Sequence, residues 1–255
     1  MKAISLALFL FVSALGLSAQ TAVPVRLAAA ANLASIAQPL EQAFQKAYPQ
    51  DVAEFTFGSS GALVAQIENG APFDIFLSAD MGFAQKLAQA GFASSEVKPY
   101  ALGKLVLFST KHLNLARGLN VLTSAQVNQI ANCNPQLAPY GKAAEQALQA
   151  LGLWESLQAK IVTAQDIAQA LQFTLEGTDA GFVNLSALLT PQMSAKYQQG
   201  RDWVMVDPHL YQPIQQGFVE VKGHSSSPAV ADFEKFLFSS QAQKVFVQFG
   251  YGIPQ

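Results

Sequence analysis

The sequence is 255 residues long and contains a single cysteine, Cys133. One thiol cannot close an intrachain disulfide, so stability has to come from a packed core. Histidine is nearly as scarce. His112, His209 and His224 lie in polar, loop-like stretches and form neither a triad pattern nor, with Cys133, a metal-ligand spacing. A G-x-S-x-G elbow, a Walker motif and a dinucleotide G-x-G-x-x-G are all missing. These absences argue against a hydrolase or a nucleotide-dependent enzyme, and the chain is read as a non-enzyme. No stretch beyond residue 17 is long and uncharged enough to span a bilayer. The net charge of -2 gives no reason to expect nucleic acid or anionic lipid as a partner. It also means that an anion, if one is bound, is not drawn in by gross charge.

What is present begins with an export signal. Lys2 precedes an uncharged apolar run from Ala3 to Leu17, and small residues follow at Ser18 and Ala19. That order reads as a signal peptide over residues 1–19, cleaved after Ala19. Cys133 lies far from the cleavage point and cannot carry a lipid anchor there. The expected location is therefore the periplasm, free of the membrane.

From Val25 onward, short apolar runs alternate with helical periodicity, the pattern of an α/β protein with largely parallel sheets. Strands are expected at 25–30, 52–57, 74–79, 104–109, 180–183 and 213–221. Between the first two, Leu33, Ile36, Ala37, Leu40 and Phe44 mark one helix face, with Pro39 bending or restarting it. Further helices are expected from Ser60 to a stop at Gly70, around Phe83 and Leu87, over 141–151, over 166–175, and in two pieces after Pro228. Residues 111–138 read as rich in loops, and Ser225–Ser227 as a loop before a helix.

Several strands end in small or hydroxyl residues just where a helix begins: Ala31-Asn32, Ser59-Ser60-Gly61 and Ser78-Ala79-Asp80. Helices also start at Pro139-Tyr140-Gly141 and Asp166-Ile167. A helix start leaves backbone N–H groups unpaired and carries the positive end of the helix dipole. Several such starts aimed at one cleft would form an anion site from neutral groups. Taken singly, each is an ordinary helix cap.

These residues also resemble a family. AAAANL (28–33), FGSSGALVAQIENGAPFDIFLSAD (57–80), GKLVLFS (103–109), PYGKAAEQALQALGLW (139–154), AQDIAQALQ (164–172), DAGFVNLSAL (179–188), YQPI (211–214) and FGYGI (249–253) look, in this order, like segments of periplasmic molybdate-binding proteins. The resemblance covers nearly the whole chain after the signal peptide. It implies the type II periplasmic binding-protein fold: two α/β domains, each a mostly parallel sheet flanked by helices, with ligand in the interdomain cleft. The first domain would comprise residues 20–103 and 217–255, and the second 104–216.

The implied function is capture of molybdate, and of tungstate, as the free oxyanion, for delivery to the permease of an ABC importer by a monomer needing no cofactor. Carried over onto this chain, the oxyanion ligands would be Asn32, Ser60, Ala79, Tyr140 and Ile167. Ala31, Ser59 and Asn184 are secondary choices, and none is a direct metal ligand. Some relatives have a tyrosine hydroxyl where this chain has Asn184, so the amide either replaces that donor or the contact is missing. Sulfate, thiosulfate and an organic acid remain alternatives. A carboxylate ligand would call for an arginine clamp, and Arg26, Arg117 and Arg201 all sit outside the expected loops.

Overall fold

The computed structural model describes residues 24–223 and 227–254. The signal peptide, His224 and most of the Ser225–Ser227 loop lie outside the described residues.

The chain opens with β1 (Val25–Ala30), buried almost throughout, as a strand covered on both faces requires. A 3-10 turn over Ala31–Ile36 leads into α1 (Ala37–Ala47). Leu33, Ile36, Leu40 and Phe44 are all buried, so one apolar face continues across the change of helix type. Pro39 falls in the first turn of α1, where its missing N–H leaves no bond unmade. Then follow β2 (Ala53–Gly58), α2 (Ser60–Glu68), β3 (Ile75–Ser78), α3 (Met81–Gln89) and β4 (Lys98–Gly103). Gly70 closes the α2 turn at φ 85°, a backbone region where only glycine is unstrained.

One residue after β4 the chain enters a second sheet. Its elements are β5 (Leu105–Phe108), β6 (Ile130–Cys133), α4 (Pro139–Ala150), α5 (Trp154–Leu157), β7 (Ile161–Ala164), α6 (Ile167–Glu176), β8 (Ala180–Asn184), α7 (Leu185–Leu188), α8 (Pro191–Lys196) and β9 (Trp203–Met205). The chain returns with β10 (Ile214–Glu220) and ends in α9 (Pro228–Leu237) and α10 (Ser240–Gln248). Ile214 to Gln216 pair with β4, while Ile214 also packs into the core of the second sheet.

The strand orders are β2-β1-β3-β10-β4 and β7-β6-β8-β5-β9. β1 pairs in parallel with β2 and β3, and β6 with β7 and β8. In each sheet the antiparallel strand is the one arriving from the other domain: β10 between β3 and β4, and β5 between β8 and β9. The result is two α/β domains joined by crossing strands. In the first core Phe44 packs on Phe233 and Phe236 with ring centroids 5.1 and 5.3 Å apart. The second is built around Leu105, Leu107, Ile130 and Phe182. Each such buried side chain stabilises the fold by about 1.5–3 kcal/mol.

Four strands were not anticipated. β4 (KPYALG) contains Pro99, which argues against a strand unless it lies at a sheet edge, and the edge is where β4 lies. β6, β7 and β9 are three or four residues long, too short for a period to declare itself. β6 and a 3-10 segment over Leu115–Thr123 also lie within the stretch expected to be rich in loops.

Candidate binding site between the domains

The helix starts singled out above all stand at the carboxyl ends of sheet strands, where α/β folds bind their ligands. β1 delivers Ala31 and Asn32, β2 delivers Ser59 and Ser60, and β3 delivers Ala79. From the second domain, the segment after β6 delivers Ala138, Pro139 and Tyr140, and β7 leads to Asp166 and Ile167. All of these residues line one small cavity, together with Ala30 and Gly58.

Among the described residues, the lining contains no lysine or arginine. What it offers an anion is backbone and hydroxyl. Ser60 and Ile167 occupy first helical positions and Tyr140 the second, where an N–H has no intrahelical acceptor. Pro139, at the first position of α4, has no N–H, so Tyr140 is the first possible donor of that helix. Ser60 Oγ accepts the Ala79 N–H at 3.0 Å, which leaves the hydroxyl proton for another acceptor. The one carboxylate of the lining, Asp166, caps α6 by accepting the Gln169 N–H at 2.9 Å.

Asn32 is buried, and its side chain is held from behind. Its Nδ2 donates to Gln216 Oε1 at 3.1 Å and to Tyr251 Oη at 2.9 Å, while Oδ1 is buried without a protein partner. Its carbonyl accepts from Asn184 Nδ2 at 3.2 Å and from Tyr251 Oη at 3.1 Å. Burial pushes the Tyr251 phenol up to about 12 and the Tyr140 phenol well above its ordinary value. Both therefore stay protonated near neutral pH.

Seven of the eight residues named from sequence thus surround this cavity: Ala31, Asn32, Ser59, Ser60, Ala79, Tyr140 and Ile167. Asn184 does not. Its amide donates to the Asn32 carbonyl and to Ser186 Oγ at 2.7 Å, which occupies both protons, and it faces a neighbouring apolar hollow. Pro139 and Asp166 belong to the helix starts named from sequence but were not among the expected ligands; Ala30, Gly58 and Ala138 were not singled out, although each adjoins a residue of those starts. His112 and His209 are exposed and are not among the lining residues. Arg26 is tied to Asp74, at 3.0 Å, and Arg201 to Asp202. Cys133 is buried, and desolvation raises its thiol to about 12, so it is not a reactive thiolate.

Two α/β domains with a cavity lined from both define a solute-binding protein. Residues 25–252 match the model of the bacterial extracellular solute-binding proteins, and the chain belongs to that family. It is 35% identical over 237 residues to the molybdate-binding protein ModA of Azotobacter vinelandii, covering 92% of each chain. Against ModA of Rhodobacter capsulatus it is 34% identical over 226 residues, covering 88% of this chain and 86% of the relative. The solved structure of the Azotobacter vinelandii periplasmic molybdate-binding protein superposes with a TM-score of 0.83, covering 91% of this chain and all of that one. A sulfate-binding protein, SubI of Mycobacterium tuberculosis, shares the fold at 14% identity and a TM-score of 0.71. The role of the family is solute binding.

Proposed function

We propose that this protein binds molybdate, and tungstate alike, as a tetrahedral dianion in the interdomain cavity, and hands it to the membrane permease of an ABC importer. It would act in the periplasm as a monomer. The observation that carries the reading is the convergence of helix starts from both domains on one small cavity without lysine or arginine. Hydrogen bonds from neutral donors to a charged partner contribute about 1.5–3 kcal/mol each, so a handful suffices for a dianion. Neutral donors also avoid leaving a buried cation unpaired before the ligand arrives.

The proposed ligands are the Ser60 hydroxyl and N–H, the Asn32 amide, and the backbone N–H groups of Tyr140 and Ile167. Ala31 and Ser59 are adjacent, and Ala79 acts through Ser60. A shell made only of donors rejects an oxyanion that carries a proton, because that oxygen cannot accept from a donor pointed at it. Protonated phosphate should bind poorly on that ground. Sulfate carries no proton, so only its smaller size can disfavour it.

Isothermal titration of the purified protein with molybdate, tungstate, sulfate and phosphate tests this. Tight one-to-one binding of the first two, with the others silent, is expected. Equal affinity for sulfate would remove the size argument, and silence with molybdate would remove the assignment itself.

A further inference from the structure

Gln216 is fully buried in β10 and uncharged. A side-chain amide in such a place needs partners, and it has three, each from a different element. Its Oε1 accepts from Asn32 Nδ2 at 3.1 Å and from Tyr100 Oη at 2.8 Å, and its Nε2 donates to Tyr140 Oη at 3.4 Å. Asn32 and Tyr140 line the cavity from opposite domains. Gln216 itself does not touch it.

The aim of this side chain comes from an irregularity. Along β10, Gln216 faces Ala101 of β4 but Gly217 faces Pro99, so Tyr100 is an extra residue in the ladder. A bulge of this kind re-aims a side chain, and bulges are over-represented beside functional sites. Here it sets Gln216 and Tyr100 against each other beneath Asn32.

The Asn32 amide gives the arrangement its meaning. Both Nδ2 protons go to Gln216 and Tyr251, and the buried Oδ1 has no partner. A half-turn of the Asn32 and Gln216 amides keeps these side chains paired with donors and acceptors exchanged. Gln216 Nε2 then donates to Asn32 Oδ1 and to Tyr100 Oη, Tyr140 Oη donates to Gln216 Oε1, and Tyr251 Oη turns its one proton from the Asn32 carbonyl to Oδ1, leaving that carbonyl with the Asn184 amide. Asn32 Nδ2 is left with protons and no protein acceptor. A bound oxyanion supplies that acceptor.

We propose that Gln216 is a positioning residue for the anion: by donating to Asn32 Oδ1 it turns the Asn32 N–H groups toward the ligand, and through Tyr140 it ties that orientation to the second domain. The inference rests on the oxyanion reading above.

Two measurements on the intact protein test it. Molybdate titration of Gln216→Met, which keeps side-chain volume and removes the amide, should give affinity about tenfold below wild type, the equivalent of one hydrogen bond. In ¹⁵N-resolved NMR of the wild type, the Asn32 side-chain amide signals should shift on adding molybdate, and in Gln216→Met they should shift far less. A purely structural role would lower the melting temperature and leave the Asn32 signals responding as in wild type. Unchanged affinity in Gln216→Met, or Asn32 signals that ignore molybdate in the wild type, overturns the proposal. Should Gln216→Met not fold, Tyr251→Phe removes the other donor to the same oxygen, and wild-type affinity there overturns it equally. A wild type that does not bind molybdate at all refutes the parent reading instead.

Discussion

The Gly61 backbone N–H donates to the Leu137 carbonyl at 2.9 Å, joining α2 of the first domain to the segment ahead of α4 in the second. A Cβ on Gly61 would stand 2.9 Å from Leu137 Cδ2 and 3.1 Å from Leu137 Cα. The side-chain carbon can turn aside, but the backbone carbon cannot. Gly61 therefore sets how closely the domains approach beside the cavity.

Gly61→Ala should hold the domains slightly apart, at an expense of about 1–3 kcal/mol, the usual penalty for overpacking. The proposed binding mode uses donors from both domains, so that expense falls on the ligand-bound arrangement. The expected result is molybdate affinity reduced about tenfold or more, with the ligand-free melting temperature nearly unchanged. Titration and calorimetry measure the two, and wild-type affinity in the variant would show that the approach is not limiting.

Ser60 is the hydroxyl with a proton to give, because its oxygen is already engaged by the Ala79 N–H. Ser60→Ala should weaken molybdate binding by about ten- to a hundredfold, the range for a hydrogen bond to a charged partner. Retained affinity would exclude the hydroxyl from the anion shell.

Asn184 gives the opposite pattern. Its amide supports the Asn32 carbonyl and Ser186, so Asn184→Ala removes two buried hydrogen bonds, although both acceptors keep another donor. A loss of about 1–3 kcal/mol in stability is expected, read as a lower melting temperature, with a smaller effect on affinity than Ser60→Ala. A large loss of affinity at unchanged stability would mean that Asn184 touches the ligand directly.

Asp80 caps α3 beside the cavity, accepting the Phe83 N–H at 2.8 Å. Burial raises its carboxyl above the ordinary value, despite that bond and the nearby Ser78 hydroxyl and Lys142. A carboxyl raised in the folded state contributes stability that is fully present below its unfolded pKa, about 3.9, and is lost as pH rises through the folded value. Asp80→Asn keeps a capping acceptor and removes the charge. Thermal melts should therefore show the variant more stable at pH 7, by no more than about 1 kcal/mol for a partly exposed group, with the gain vanishing as pH falls below 4. A gain that persists at low pH would assign it to something other than the charge.

Much of this was readable before any coordinates. β1 and β3 are short apolar runs bounded by small residues, and the apolar spacing from Leu33 to Phe44 survives a change of helix type because burial follows side-chain period rather than backbone hydrogen bonding. The cavity residues were legible for a related reason. Each sits where an apolar run stops and a helix signal starts, and in an α/β fold those places gather at one end of the sheets. Asn184 also ends a strand, β8, and nothing local distinguishes it from the residues that do line the cavity.

Local order alone determined the alternating elements, the want of catalytic and nucleotide motifs, and the identity of the helix starts, because capping and periodicity act within a few residues of the chain. Which starts face one another was decided only by the tertiary structure. Gln216 meets Asn32 across 184 positions and Tyr140 across 76, through a bulge that no local pattern announces. Strand crossing and domain approach create those meetings, and the buried polar groups must then pair with whatever the fold brings to them.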